Sequence, residues 1–210
     1  MRFWQFFALM LFANYFGTFF MYAFKAFGEN KEPHPPISDE TLTWAASIGS
    51  GIVNGISRIT LGALLDRHGF KKLMTILMAT QLVVSLICYH AVYVPWLFFT
   101  CILLNYMSVG GLFAIFPVSV QNVFGMEFGP QIYIWVLLGS FFASLLNMLS
   151  TVWLLPVLGF QALFYVGSFT QGLALVTLYF FEEKLDVDRL ASYNALKNPE
   201  MEAKPQLNQI

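Results

Sequence analysis

The chain has 210 residues, of which 58% are hydrophobic and only 11% are charged. Soluble domains are about 45–50% apolar and about 25% charged, so the composition predicts a membrane protein and excludes an ordinary soluble enzyme. The formal net charge of −1 provides no field that would attract nucleic acid. The three histidines show no zinc-type spacing, and the two cysteines fall in apolar runs, so we predict no metal site and no cofactor.

Six apolar runs follow one another along the chain. A helix needs roughly 20 apolar residues to cross about 30 Å of hydrocarbon, and every run is near that length. The predicted spans are residues 3–24, 42–65, 73–93, 96–120, 132–155 and 160–181. The sequence therefore predicts an all-α membrane protein, with a six-helix transmembrane domain over residues 1–181 and a polar tail over residues 182–210.

Lysine and arginine are distributed unequally between the two sides of this six-helix arrangement. One side carries Arg2, Arg67, Lys71, Lys72, Lys184 and Arg189, whereas the first outer loop mixes its lysines with acidic residues. The positive-inside rule then places both termini in the cytoplasm, or in the matrix if the membrane is the mitochondrial inner membrane. A plasma membrane and an organelle membrane fit the charges equally well. Ser38, followed by Asp39 and Glu40, predicts an N-cap and first turn for the second span.

Polar residues inside the spans are informative because lipid-facing helices need none. The amides are Asn14, Asn54, Gln81, Asn105, Asn147 and Gln171. For Gln81 and Gln171 we favour hydrogen bonds between helices, which are usually worth about 1 kcal/mol. Arg58 differs, because it lies about 10 Å from the end of its span at 1.5 Å per residue. It either extends its side chain to the interface or, with Asn54 one turn earlier, lines a polar cavity that holds a ligand carboxylate.

Small residues recur on the same helix as Arg58. Ser47, Gly51 and Gly55 are spaced four residues apart, which lets another helix approach closely. We expect static packing at this stripe. In a transporter the same smooth face could also allow sliding.

The turn between the second and third spans combines charges with a glycine. Gly69 permits a tight backbone turn, and Asp66, at a helix C-terminus, needs a partner because the helix dipole there disfavours a negative charge. The stretch resembles the major facilitator signature G-x-x-x-D-R-x-G-x-K-K, and the matching residues are Gly62, Asp66, Arg67, Gly69, Lys71 and Lys72. In that family the motif lies between the second and third helices of each six-helix half. The resemblance implies that the aspartate latches two halves together, so the predicted gating residues are Asp66, Arg67, Gly69, Lys71 and Lys72.

The preceding "NGISR" narrows the resemblance. Together with the F-G…G pattern in residues 123–133, it is similar to the C-terminal half of oxalate/formate antiporter-like and monocarboxylate-transporter-like members. This implies that Arg58 contacts the substrate carboxylate with support from Asn54. Asn14 and Ser140, the latter near the position where oxalate-type members carry a lysine, complete the predicted substrate-binding set. Because residues 132–155 contain no cation, a monocarboxylate fits better than a dicarboxylate.

The resemblance covers nearly the whole chain, yet it accounts for six helices of the family's twelve. A substrate site between two repeats cannot be enclosed by one of them. We therefore expect a second six-helix half, from a longer chain, a homodimer or a different subunit, or else a loss of transport. The first hypothesis is a half-size transporter that moves a small organic anion by alternating access. The alternative is a non-transporting structural subunit of a larger membrane complex. An enzyme is not predicted, because no nucleophile–base pair or acid pair is placed where a cleft could form.

Overall fold

The computed structural model describes residues 2–30 and 36–181. Within those ranges the chain is helical and contains no strand, so the predicted all-α class is confirmed. The helices are α1 (Arg2–Glu29), α2 (Asp39–Ser47), α3 (Asn54–His68), α4 (Phe70–Ala91), α5 (Pro95–Leu149) and α6 (Leu155–Tyr179), with π-helical turns at Ile48–Val53 and Ser150–Leu154. The predicted polar tail, residues 182–210, lies outside the described residues, and its boundary stays a prediction.

Four helical stretches in the described chain are long and apolar enough to cross a membrane: Arg2–Glu29, Asp39–His68, Phe70–Ala91 and Pro95–Tyr179. The last has 85 residues and would be about 130 Å long if straight, at 1.5 Å per residue. It is broken at Gly125 and Gly159, whose φ angles are 85° and 74°. Positive φ is accessible to glycine because it has no Cβ. The six predicted runs therefore appear as four continuous stretches, and residues 121–131, predicted as a connection, are helical except at one glycine.

The chain folds back on itself at Gly125. A Cβ added at Gly129 would lie 2.7 Å from the Cα of Gln121. In a straight helix these two residues would be separated by about 12 Å along the axis. A single glycine thus connects two helical segments that pack against each other.

A second reversal takes place at Gly159. Asn147 donates from Nδ2 to the Tyr15 carbonyl oxygen at 2.9 Å, and Gln171 donates from Nε2 to the Ala13 carbonyl oxygen at 3.3 Å. Both residues therefore reach the same turn of α1. Since a straight helix would place them about 36 Å apart, the chain must turn back between them.

Helix α1 lies at the centre of the packing, and its phenylalanine side chains fill the core at both ends. Phe6 contacts the rings of Phe116 and Phe181 at centroid distances of 6.1 and 5.0 Å. Phe27 contacts Phe98 and Phe164 at 5.9 and 5.0 Å. All four pairs are edge-to-face, and such pairs contribute roughly 0.5–1.5 kcal/mol each beyond burial. This packing fixes α1 as a rigid support for polar residues on its remaining face.

The helix ends follow the local sequence. Ser38 is the N-cap of α2 and accepts a hydrogen bond from the Thr41 amide at 3.3 Å, with Asp39 and Glu40 in the first turn, as predicted. Lys25 forms an ion pair with Asp39 and so joins the end of α1 to the start of α2. Gly69, with φ of 76°, is the single residue between α3 and α4, which confirms the predicted tight turn.

The static packing expected at the small-residue stripe does not take place against any helix that the structure describes. A Cβ added at Gly51 or Gly55 would have nothing within 4 Å, so no described helix packs there. The close approach takes place instead at Gly110, where an added Cβ would lie 2.7 Å from the Asn54 carbonyl oxygen. The spacing of small residues in the sequence identifies helix faces that another helix could approach closely. It does not reveal which of these faces another helix covers.

For two of the buried amides, Gln171 and Gln81, the sequence predicted hydrogen bonds between helices. Gln171 bonds to α1 carbonyl groups, which confirms the predicted hydrogen bonds between helices. Gln81 is fully buried, yet neither its Nε2 nor its Oε1 has a hydrogen-bond partner among the described residues, so the same prediction is wrong there.

Candidate functional site

A polar cavity of about 360 Å³ opens between α1, α3 and α5. Helix α5 contributes residues from both of its segments, the first before Gly125 and the second after it. We call this space the polar cavity. Its wall contains Asn14, Thr18, Met21, Tyr22, Ser50, Asn54, Arg58, Tyr106, Val109, Phe113, Ser140 and Ser144. The fold therefore brings all four predicted substrate-binding residues, Arg58, Asn54, Asn14 and Ser140, to one cavity although they come from three different helices. Pockets of about 300–1,000 Å³ are the usual size for small-molecule ligands.

Arg58 is the charged residue of this wall. Its Nε donates to Asn54 Oδ1 at 3.1 Å, and its guanidinium carbon lies 5.9 Å from the centre of the Phe113 ring. The side chain is exposed, and in the described ranges both ion pairs involve Lys25 rather than Arg58. One edge of the guanidinium is thus fixed by the amide, and no carboxylate among residues 2–30 and 36–181 forms an ion pair with it.

Asn54 is held on both sides of its amide. Its Nδ2 donates to the Tyr106 carbonyl oxygen on α5 at 3.2 Å, while its Oδ1 accepts from Arg58. A π-helical turn ends directly before it, and the Asn54 backbone N–H donates to the Gly49 carbonyl oxygen. Such turns change the rotational register of the residues that follow and are frequent at functional sites. The register after this turn sets which way Asn54 and Arg58 point.

Asn14 and Ser140 form the opposite wall. The Nδ2 of Asn14 donates to the Ser140 hydroxyl and links α1 to the second segment of α5. Asn14 is fully buried, and its Oδ1 has no hydrogen-bond partner in the described part of the chain. The Thr18 hydroxyl, one turn further along, donates to the Asn14 carbonyl oxygen at 2.7 Å. The wall can therefore offer one buried acceptor oxygen and several hydroxyl groups to a bound molecule.

The sequence-based prediction missed several wall residues. Thr18 and Tyr22 follow Asn14 on α1, and Ser144 follows Ser140 on α5, each at a spacing of four residues. Residues four apart share one face of a helix, so extending each predicted residue by one or two turns would have found them. Phe113 had no such signal, because it becomes relevant only through its distance to the guanidinium.

A second cavity, of about 340 Å³, lies at the charged turn and is lined by Asp66 and Gly69 together with Phe6, Leu65, Phe70, Ser119, Asn122, Val123 and Phe181. We call it the gate cavity. Arg67 and Lys72 are exposed and are not part of its wall. The partner expected for Asp66 is not found among residues 2–30 and 36–181, where no ion pair includes its carboxylate.

Lys71 has a different position from the other cations of the turn. Its Nζ donates to the carbonyl oxygens of Tyr179 and Phe181 at 2.8 and 2.9 Å. A cation at a helix C-terminus satisfies carbonyl groups and interacts favourably with the helix dipole. Lys71 thus ties the start of α4 to the end of α6.

Comparison with protein families identifies the architecture. The sequence model of the Major Facilitator Superfamily matches residues 3–206. The chain belongs to the major facilitator superfamily. It is therefore an integral membrane protein of the facilitator transporter type, and the predicted superfamily is confirmed. Members of this superfamily are transporters and not enzymes, which agrees with the prediction of a non-enzyme. The comparison with curated proteins found no match.

Membership in the superfamily allows the positions of the two cavities to be compared with the place where such proteins bind substrate. Facilitators bind substrate near the middle of the membrane, between repeats that move against each other. The polar cavity is lined by residues in the central parts of α1 and of the two segments of α5 before and after Gly125, whereas the gate cavity is lined by residues at helix ends. The two cavities thus differ both in depth along the helices and in the type of charge they carry.

Proposed function

We propose that the chain is half of a facilitator that transports a small monocarboxylate by alternating access together with a second six-helix half. Six membrane crossings are part of this proposal, and the reversals at Gly125 and Gly159, which divide Pro95–Tyr179 into three segments, support that number. The distribution of lysine and arginine favours an orientation with both termini in the cytoplasm or matrix. The similarity of the "NGISR" stretch to oxalate/formate and monocarboxylate carriers supports the substrate class.

The observation that carries the proposal is the arrangement around Arg58. Its guanidinium is fixed at one edge by Asn54, has no internal counter-charge in the described chain and lines a cavity of sufficient size for a small ligand. Arginine binds carboxylates with two parallel hydrogen bonds. An arginine within a membrane span is costly unless it faces a polar cavity or a partner, and a substrate carboxylate is such a partner.

The charge of the cavity supports one carboxylate rather than two. Among the described residues that line the polar cavity, Arg58 is the single ionised side chain. A dicarboxylate would bring a second negative charge with no cation to compensate for it, and an unpaired charge in a low-dielectric site is strongly disfavoured. Ser140 lies near the position where oxalate-type members carry a lysine, and its uncharged hydroxyl can bind a neutral oxygen of the substrate.

The open side of the polar cavity supports a second half. Arg58 is exposed, and Gly51 and Gly55 on the same helical element have no neighbour within 4 Å of an added Cβ. Asp66 likewise has no ion-pair partner within the described chain. A second half, from the same chain, a second copy or a different subunit, would cover this side and supply a cation to Asp66.

Transport measurements with variants of Arg58 test the proposal. The change is Arg58→Ala, with Arg58→Lys to keep the charge and Arg2→Ala as a matched loss of an arginine outside both cavities. Removal of one partner of a desolvated charge pair costs roughly 2–5 kcal/mol, so Arg58→Ala should reduce uptake of a radiolabelled monocarboxylate at least about 30-fold. Arg58→Lys should retain a small part of the uptake, and Arg2→Ala should retain nearly all of it at equal surface expression.

Two outcomes would contradict the proposal. Unchanged uptake in Arg58→Ala would remove the carboxylate site. Absence of any uptake by the wild-type chain, combined with isolation in a stable complex of many different subunits on native gels, would favour the structural-subunit alternative. A homodimer, or a pair with one other six-helix protein, is the assembly that the transporter proposal expects.

A further inference from the structure

An apolar cavity of about 350 Å³ lies beside the polar cavity, towards the end of α1 that carries Lys25. We call it the apolar cavity. Aromatic and aliphatic side chains form most of its wall, including Phe19, Ala23, Ala26, Met148, Val152 and Phe160. None of the predicted substrate-binding residues lines it, and nothing in the superfamily assignment requires it.

The two cavities are adjacent and share part of their wall. Tyr22 and Ser144 line both of them. Ser144 lies one turn beyond Ser140, and Asn147 in the wall of the apolar cavity lies about 10 Å beyond Ser140 at 1.5 Å per residue. A single molecule of about this length could therefore extend from the polar cavity into the apolar cavity along α1 and α5.

The chemistry of the two cavities differs sharply. One end presents a guanidinium, an amide and hydroxyl groups, whereas the other presents rings and methyl groups. An acid of two or three carbons would leave the apolar cavity empty, while an acid with an apolar body would remove both its own surface and that of the cavity wall from water. Such burial is worth about 0.8 kcal/mol per methylene.

From this arrangement we infer that the ligand is an amphipathic monocarboxylate, with its carboxylate at Arg58 and its apolar body in the apolar cavity. This inference rests on the proposed function and specifies the substrate class. Affinity should rise about fourfold for each methylene that enters the apolar cavity, the equivalent of that 0.8 kcal/mol. Selectivity for apolar bodies is thus a property of the wall formed by α1 and the second segment of α5.

Equilibrium binding of a homologous acid series tests this inference. The full-length chain, with any partner that copurifies, is reconstituted in nanodiscs and titrated with acetate, butanoate, hexanoate and octanoate at one pH. The dissociation constant should fall by roughly 15-fold for each added pair of methylenes until the apolar cavity is filled. Arg58→Ala should weaken the binding of every acid in the series.

A cavity-filling variant separates the apolar cavity from the polar one. Ala26→Leu places a larger side chain in the apolar cavity and should reduce the ratio of octanoate to acetate affinity at least tenfold. The matched control is Ala79→Leu on α4, which is exposed and lines neither cavity, and it should leave that ratio unchanged. Partition of long acids into the lipid is measured with protein-free nanodiscs and subtracted.

The outcomes distinguish failure of the proposed function from failure of the inference about the apolar cavity. If no acid binds to the wild-type protein, the proposed function fails together with the inference. If all four acids bind with equal affinity and Ala26→Leu has no effect on the ratio, the inference is overturned while the carboxylate site stands. An octanoate advantage no greater than the one measured with protein-free nanodiscs reflects lipid partition alone and also overturns it.

Discussion

Gly110 lies where α5 passes directly against α3, and its replacement by alanine tests how the site is held. An added Cβ would lie 2.7 Å from the Asn54 carbonyl oxygen and 3.0 Å from the Asn54 Nδ2, and it would also collide with the Ser57 hydroxyl. Side chains can rotate away from such a contact, but the backbone oxygen cannot. Gly110→Ala should therefore push the two helices apart and lengthen the hydrogen bond from Asn54 to Tyr106.

The magnitude follows from two opposing terms. Overpacking in a well-packed core costs typically 1–3 kcal/mol, while alanine is favoured over glycine inside a helix by about 0.8–1.0 kcal/mol. Gly172→Ala is the matched control, because it makes the same substitution inside α6 with nothing within 4 Å. The difference between the two variants isolates the clash. At about 2–4 °C per kcal/mol for a chain of this size, Gly110→Ala should unfold roughly 2–12 °C below Gly172→Ala.

The assay is thermal unfolding of the detergent-solubilised protein, followed by tryptophan fluorescence, together with uptake of the monocarboxylate. Because the displaced Asn54 also orients Arg58, Gly110→Ala should raise the KM for uptake of the proposed substrate, whereas Gly172→Ala should leave it unchanged. Equal midpoints and equal KM values for the two variants would refute the reasoning. They would mean that α3 can shift without cost and that its contact with α5 does not position the guanidinium.

Two further predictions concern the helix connections. Gly125→Ala should destabilise the protein by about 1–3 kcal/mol, because a positive φ near 85° is strained for any residue with a Cβ. Gly172→Ala, at a helical position with nothing within 4 Å, should not destabilise it. Equal thermal midpoints for the two variants would contradict this prediction. Lys71→Met should remove the two hydrogen bonds to the end of α6 and lower the midpoint by roughly 2–8 °C. Lys72→Met removes the same charge from an exposed position and should leave the midpoint unchanged; a similar loss in both variants would show that charge, not the hydrogen bonds, matters.

The sequence predicted those parts of the site that a single helix determines. Asn54 and Arg58 are four residues apart, so their proximity on one helix face follows from helix geometry alone, whereas the hydrogen bond between them was not part of the prediction. Asn14 and Ser140 could be selected as polar residues inside spans, but their contact depends on how α1 packs against α5. The apolar cavity carried no signal at all, because apolar residues in a membrane helix look the same whether they face lipid, a core or a cavity.

The connections show where sequence reasoning placed the limits of the helices incorrectly. Residues 121–131 are rich in polar residues and glycine, which favours a loop, yet they are helical on both sides of Gly125. The reversal needs only one residue with positive φ, and Gly129 then lets the returning segment pack against Gln121. A hydropathy pattern measures the length of hydrocarbon crossed, and helices that continue beyond the hydrocarbon are invisible to it.

The faces of α3 indicate on which side the proposed second half would lie. At about 100° per residue, Asn54 lies close to Arg58, Gly55 is roughly 60° away, Ile59 about 100° and Ile56 about 160°. Ile56 and Ile59 are exposed apolar side chains suited to lipid, whereas an arginine against lipid near the helix centre costs roughly 2.5–3.5 kcal/mol. The bare glycine surface lies between these two faces. A helix from a second half that packs on the glycine side would therefore cover Arg58 without displacing the isoleucine side chains from the lipid.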